Sequence, residues 1–151
     1  MQLSKNFTLD ELTRTDTGLP NNPDSKAIAL LKLLALFILQ PLRDKYGRLI
    51  VNSGFRSVRI NKEINGSPTS QHMEGQAADI RPLDMPLVTV YEGIVNNRYF
   101  EFGQCIIYPD RGFIHISLPR IHKENNQAMI CFKGEYFHYS EEKLKEIQGG
   151  I

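Results

Sequence analysis

The hydrophobic spacing of this chain changes along its length from a helical period to a strand period. Between residues 27 and 39, apolar residues recur at three- and four-residue spacing, which is typical of a helix with one buried face. Beyond residue 103, short β-branched and aromatic runs alternate with turn formers and predict strands at residues 104–108, 113–118, 128–132 and 136–139. Because helices come mostly first and clustered strands mostly last, this order predicts an α+β fold with an antiparallel sheet.

Capping residues and chain breakers set the predicted boundaries. The longest helix is predicted to begin at Asp24 or Ser25 and to end near Gly47, with a kink or break at Pro41. Other capping signals predict helices that begin near residues 9, 57, 86 and 140. Short strands are predicted at residues 49–51 and 77–81.

Length and charge exclude several classes of protein. With 151 residues, 41% of them hydrophobic, the chain is predicted to form a single domain over residues 1–151. Its 18 Lys and Arg are interspersed with 17 Asp and Glu, so there is no broad basic field for nucleic acid. The apolar stretch 27–39 is shorter than the roughly 20 residues that span a bilayer, so we expect a buried helix and no membrane insertion. We also expect a monomer.

The cysteines and the N-terminus bear on the cellular compartment. Cys105 and Cys131 have apolar neighbours and are predicted to be reduced, buried thiols. Residues 1–10 lack the apolar region of a secretory signal peptide. We therefore expect a protein that is cytoplasmic until it is released, or that is exported by a route other than the Sec pathway.

The segment from Ser70 to Asp79 carries the strongest chemical signal. It places His72 in a polar loop and Asp79 seven residues later in a predicted strand. The two side chains can converge only if the chain folds back tightly between them, which Gly75 permits and Ala77 leaves room for. An imidazole and a carboxylate that face each other are two ligands suited to zinc.

His115 is the candidate third ligand. In the predicted strand 113–118, Ile114 and Ile116 point to one face and His115 to the other. Two imidazoles and one carboxylate leave a fourth tetrahedral position open, as in catalytic zinc sites. One alternative is that His115 is a hydrogen-bonded core histidine and that Asp79 caps the loop after it. Another is the triad of two histidines and one carboxylate found in ferrous oxygenases, although such enzymes usually have a β-rich fold.

These residues resemble a known peptidase family. The pattern Ser70-x-His72-x-x-Gly75-x-Ala77-x-Asp79, with Ser-Gly-Phe-Arg at residues 53–56 and His-Ile-Ser at 115–117, is similar to the zinc D-Ala-D-Ala carboxypeptidases and L-alanyl-D-glutamate endopeptidases. Residues 6–12 and 39–43 resemble the bacterial and phage branch of that family. The resemblance implies the Hedgehog/DD-peptidase fold, with helices mainly on one side of the sheet. It also implies zinc bound by His72, Asp79 and His115, and peptidoglycan stem peptides as the partner.

The resemblance also implies roles for residues around the metal. Arg56 would hold a substrate carboxylate or polarised carbonyl through a two-pronged contact, and Ser70 and Gln104 would contact substrate. Better-studied members have an acidic general base three residues before the second ligand histidine, where this chain has Gly112. The nearest carboxylate on the same turn is Asp110, which becomes the candidate base. Tyr108 and Gln104, on the preceding strand, are candidates to orient water or to stabilise an oxyanion.

Two functional hypotheses follow from this pattern. The first is a zinc peptidase that hydrolyses an amide bond in peptidoglycan stem peptides, of the D,D-carboxypeptidase or L-Ala-D-Glu endopeptidase type. The second, favoured by Gly112, is a catalytically impaired zinc-containing module that binds cell wall or has a structural role in a phage. The sequence leaves the scissile bond open among D-Ala-D-Ala, L-Ala-D-Glu and cross-bridge amides, because the choice of bond depends on cleft loops such as residues 65–71 and 119–127.

Overall fold

The computed structural model describes residues 1–150, which form six α-helices, two short helices of other types and one six-stranded sheet. The α-helices are α1 (Leu9–Thr13), α2 (Ser25–Leu34), α3 (Gln40–Tyr46), α4 (Val58–Glu63), α5 (Leu87–Val95) and α6 (Glu141–Gly149). The strands are β1 (Leu49–Ser53), β2 (Ala77–Pro82), β3 (Gln104–Tyr108), β4 (Phe113–Ser117), β5 (Gln127–Phe132) and β6 (Glu135–His138). A π-helix (Ala35–Leu39) joins α2 to α3, and a 3₁₀ helix (Gln71–Glu74) precedes β2.

Four helices begin where the capping residues predict. The side chains of Thr8, Asp24, Ser57 and Ser140 each accept a hydrogen bond from a backbone N–H in the first turn that follows. These bonds satisfy N–H groups that have no partner within the helix. The predicted starts of α1, α2, α4 and α6 are therefore confirmed.

Pro41 does not break the long helix. The helix continues from α2 through the π-helix into α3, where the N–H of Gln40 donates to the carbonyl of Ala35, five residues earlier. Because a proline lacks an N–H and its ring crowds the preceding turn, a wide turn directly before Pro41 lets the helix pass through it. Gly47, with φ of 89°, ends α3 as predicted.

The continuous helix Ser25–Tyr46 is longer than its apolar stretch suggests. It has 22 residues and a mean hydropathy of 1.7 in its most apolar part, so by length and composition it could cross a membrane. The expectation that this helix is too short to span a bilayer, which was based on the apolar stretch 27–39 alone, is therefore wrong. Buried helices of globular cores pass the same test, and Leu31, Leu34, Ile38 and Leu39 are buried in the core.

The sheet is mixed, which corrects the prediction of an antiparallel sheet. The strand order is β1-β2-β4-β3-β5-β6, and every pair is antiparallel except β3 and β5. Strand β4 ends beside the start of β3, so the short crossing of residues 118–126 brings β5 to that same end of β3. β5 must then run parallel to β3.

The two faces of the sheet have different roles because side chains alternate along each strand. One face packs against α2, α3, α5 and α6 in a single buried cluster; its sheet members include Ala78, Ile80, Cys105, Ile107, Ile114, Ile116 and Ile130. Cys105 and Cys131 are free and buried, as predicted. The other face carries Asp79, His115 and their neighbours on β3, which positions the site described next.

Candidate metal centre

Three elements bring the candidate ligands together. Asp79 on β2 and His115 on β4 are directly paired residues of adjacent antiparallel strands, so the sheet register fixes one beside the other. His72 comes from the 3₁₀ helix, and Gly75, with φ of 77°, turns the chain from that helix into β2. A positive φ is costly for residues other than glycine, which explains the glycine at this turn.

The three ligand atoms converge at the spacing of a metal site. Asp79 Oδ1 lies 3.2 Å from His72 Nε2 and 3.0 Å from His115 Nδ1, and the two nitrogens are 3.2 Å apart. Zinc bonds of about 2.1 Å at tetrahedral angles would separate neighbouring ligand atoms by about 3.4 Å. Within residues 1–150, this is the group of His, Cys, Asp and Glu side chains that could hold a metal ion.

The protonation of His72 also favours a bound cation. Its Nδ1 lies 2.7 Å from the carbonyl oxygen of Gly54, so Nδ1 carries the proton and donates it. In the neutral ring, Nε2 then presents a lone pair to the Asp79 carboxylate, which also has only lone pairs. Two acceptors at 3.2 Å need a positive species between them, and a metal ion meets that need.

The pKa values of these residues favour the forms that bind metal. Burial lowers the pKa of His72, and this effect outweighs the opposing effect of the Asp79 carboxylate. Burial by itself would raise the pKa of Asp79, but the two histidines beside it hold that pKa well below its usual range. A neutral imidazole and an ionised carboxylate are the ligating forms.

Arg56 is fixed beside the metal centre. Its Nη2 lies 4.0 Å from Asp79 Oδ2, its Nη1 donates to Asn61 Oδ1 at 3.1 Å, and its backbone N–H donates to the carbonyl of His72. Asn61 is buried and also donates from its Nδ2 to the carbonyl of Ser67. Arg56 Nε is buried and has no hydrogen-bond partner among residues 1–150.

The ligands lie in a cavity of about 550 Å³ that contains most of the predicted site residues. Arg56, Ser70 and Gln104 all line it together with the three ligands. Ser70 Oγ accepts a hydrogen bond from the N–H of His72 and so caps the 3₁₀ helix. Gln104 donates from Nε2 to Gln127 Oε1 on the adjacent strand β5.

Comparison with known proteins assigns the family. A sequence profile described as Peptidase M15 matches residues 5–117, most of the chain and all three candidate ligands. This chain belongs to the peptidase M15 family. It is also similar to the zinc D-Ala-D-Ala carboxypeptidase of Streptomyces albus G, with 38% identity over 78 residues. That match covers 50% of this chain and 31% of the length of the Streptomyces protein.

Asp110 is the one predicted site residue that the structure does not bring to the M15 site. It lies on the turn between β3 and β4, where its Oδ2 accepts a hydrogen bond from the backbone N–H of Lys133. It is absent from the residues that line the cavity. The β5–β6 turn thus holds the Asp110 carboxylate, through an interaction between separate hairpins that sequence spacing does not reveal.

The cavity of this M15 chain is also lined by both loops that the sequence places at the cleft, 65–71 and 119–127; the lining residues are Asn65, Gly66, Ser67, Thr69, Gln71 and Arg120. Arg111, Phe113 and Tyr136 line it too and were not singled out from the sequence as site residues. Tyr108, a predicted orienting residue, also lines the cavity, and its hydroxyl lies 3.4 Å from that of Tyr136. The alternation along β3 and β4 places Tyr108 and Phe113 on the face of His115, and this signal was available in the sequence. The position of Tyr136 depends on the crossing to β5 and carries no local signal.

Proposed function

We propose that this chain is a zinc-dependent peptidase that hydrolyses an amide bond in peptidoglycan stem peptides. The observation that carries the proposal is the convergence of His72, Asp79 and His115 at tetrahedral spacing inside a cavity, in a chain of the peptidase M15 family. The name of the Streptomyces relative supports both zinc and the cell-wall substrate. The same donor set, two nitrogens and one oxygen, suits zinc by its chemistry.

The bound metal would be held by His72 Nε2, Asp79 Oδ1 and His115 Nδ1, with one coordination position left open. Zinc supplies a Lewis acid and lowers the pKa of a water molecule to near neutrality. The chain fixes the orientation of His72 through the Gly54 carbonyl, and fixes Asp79 and His115 through the register of β2 and β4. Rigid strands and a tethered imidazole hold the ligands in place before substrate arrives.

Two further side chains would act on the substrate carbonyl. Arg56 is held by Asn61 near the ligands, and its guanidinium can donate to an oxygen that gains negative charge. Burial and the hydrogen bond with Tyr136 raise the pKa of Tyr108 well above its usual value. Tyr108 therefore keeps its proton at neutral pH and can donate a hydrogen bond to the same oxygen.

The test is a mass-spectrometric digest of purified muropeptides by the zinc-loaded chain. We expect a mass loss that identifies the cleaved bond, and that disappears after chelation and in His115→Ala. The matched control is His138→Ala, because His138 is exposed on β6 and lies outside the ligand group. Full activity of the chelated sample or of His115→Ala would refute the metal-dependent mechanism.

The same digest tests the base. Because Asp110 contacts Lys133 and does not line the cavity, we expect Asp110→Asn to retain most of its activity. A loss of about a hundredfold, typical for removal of a general base, would instead show that the turn moves toward the metal when substrate binds.

A second candidate function is a zinc-containing module that binds stem peptides without hydrolysis. The observation that favours it is that, within residues 1–150, Asp79 is the sole carboxylate that lines the cavity. Asp79 is itself a candidate ligand and so is not free to take up a proton from water. Metal-dependent binding of muropeptides with no released product would support this function over the peptidase.

A further inference from the structure

We infer that Arg111 and Arg120 select an extended peptide with two carboxylates, and that the scissile amide lies between them. The inference rests on the proposed peptidase function and adds the substrate's charge pattern to it. It depends on where these two arginines lie relative to His115, on how each is held, and on the balance of charge in the cavity.

The two arginines lie near opposite ends of β4. Arg111 comes two residues before its first residue, Phe113, and Arg120 three residues after its last, Ser117. His115 is the central residue of the strand, and both arginines line the same cavity as His115. Phe113 and Ser117 are about 14 Å apart at the usual rise of an antiparallel strand, a length that about four extended peptide residues would cover.

Neighbouring side chains hold the Arg111 guanidinium and the Arg120 backbone. The guanidinium carbon of Arg111 lies 5.1 Å from the ring centroid of Phe113 and 5.6 Å from that of Tyr108. Stacking on two aromatic rings restricts the guanidinium and leaves its N–H groups at the ring edges free to donate. Arg120 is fixed through its backbone, because the Asn125 side chain accepts from its N–H and donates to its carbonyl, each at 2.9 Å.

The cavity lacks internal partners for these charges. Three arginines and one carboxylate, Asp79, line it, and Arg56 is the arginine nearest that carboxylate. Within residues 1–150, no carboxylate lies within 4.0 Å of the guanidinium of Arg111 or Arg120. The whole chain has a net charge of only +1, so positive charge is concentrated in this cavity. Two guanidinium groups without internal partners, one near each end of β4, fit a ligand with two separated carboxylates.

The experiment compares two synthetic peptides on the zinc-loaded chain. One is L-Ala-γ-D-Glu-L-Lys-D-Ala-D-Ala, with free carboxylates on D-Glu and at the C-terminus, and the other has both carboxylates converted to amides. Initial rates give kcat and KM where a peptide is hydrolysed, and calorimetric titration gives Kd where it is not. Mass spectrometry locates any cleaved bond.

The variants are Arg111→Gln, Arg120→Gln and the double variant. Each single change is expected to raise KM or Kd for the diacid about fivefold, since a partly exposed ion pair contributes about that much. The double variant is expected to lose about twenty-fivefold if the two sites act independently. For the diamide, the same variants are expected to change KM or Kd less than twofold. The value of kcat is expected to change little.

Arg98→Gln is the matched control, because Arg98 also stacks on an aromatic ring, Tyr99 at 4.9 Å, but lies outside the cavity. It is expected to leave both peptides unaffected. Equal effects on diacid and diamide, the same effect in Arg98→Gln, or cleavage outside the two carboxylates would overturn the inference. Carboxylate-dependent binding without any hydrolysis would support the selection of two carboxylates and refute the proposed peptidase.

Discussion

Gly75 and Gly112 form a matched pair that separates backbone strain from steric exclusion at the metal centre. Both have φ of 77°, a left-handed conformation that an alanine adopts only with strain. A Cβ on Gly75 would lie 2.6 Å from the backbone oxygen of Ala27 and 3.1 Å from Leu31 Cγ, whereas a Cβ on Gly112 would meet nothing within 4 Å. Changing each glycine to alanine therefore tests the two effects separately.

The expected magnitudes follow from these contacts. In both variants the left-handed backbone costs about 1–2 kcal/mol, partly offset by about 0.4–1 kcal/mol because alanine restricts the unfolded chain. Gly75→Ala adds the cost of forcing a methyl group against the backbone of α2, about 1–3 kcal/mol. We therefore expect Gly75→Ala to be about 1–3 kcal/mol less stable than Gly112→Ala, or about 4–8 °C lower in Tm at the middle of that range.

The assay is urea unfolding of both variants and the unaltered chain, with zinc and after chelation. Because Gly75 connects the His72 helix to β2, its substitution should also reduce the stabilisation that zinc provides, while Gly112→Ala should keep it. Equal destabilisation of the two variants, within about 0.5 kcal/mol, would refute the steric argument. A full zinc effect in Gly75→Ala would refute the link between this turn and the ligand.

Three further predictions concern the histidines and a buried tyrosine. His72→Ala should reduce bound zinc from one equivalent to near zero by mass spectrometry, whereas His138→Ala should keep one; a full equivalent in His72→Ala would contradict the site. In the chelated chain, the free energy of unfolding should fall as pH drops from 7.5 to 5.5, because burial lowers the pKa of folded His72 and the unfolded state takes up the proton first. His72→Ala should reduce this dependence of stability on pH. An unchanged dependence in His72→Ala would show that His72 is not its cause. Tyr91→Phe should cost about 1–2 kcal/mol in urea unfolding, since the buried Tyr91 hydroxyl donates to the Met129 carbonyl at 2.7 Å. The exposed Tyr99→Phe should cost less than about 0.5 kcal/mol, and equal losses would contradict this reasoning.

Local signals were sufficient for most secondary-structure elements. Capping side chains at Thr8, Asp24, Ser57 and Ser140 act within one turn of their own helix, so the sequence contains the whole interaction. The strand predictions also hold, because alternation and turn formers are local patterns. The three candidate ligands were identified the same way, from a short motif and one strand.

The features that sequence reasoning missed depend on contacts between distant segments. The parallel pairing of β3 and β5 follows from where residues 118–126 cross the sheet, which no local pattern encodes. Asp110 was a candidate by spacing alone, yet a backbone N–H of the next hairpin holds its carboxylate. Tyr136 reaches the cavity only through the same crossing, so its position depends on that topology.

The three candidate ligands are not held with equal rigidity, and this difference predicts where the metal centre is most sensitive. Asp79 and His115 lie on paired central strands, whose register is fixed by the core packing of Ile80, Ile114 and Ile116 on the opposite face. His72 lies instead on a short 3₁₀ helix. Its position depends on the Gly54 carbonyl, on its backbone hydrogen bonds with Arg56 and Ser70, and on the turn at Gly75. Gly54 is in turn packed tightly, since a Cβ there would collide with the backbone oxygen of Leu12 in α1. Zinc affinity should therefore respond more to changes in the supports of His72 than to substitutions of comparable stability cost beneath the central strands.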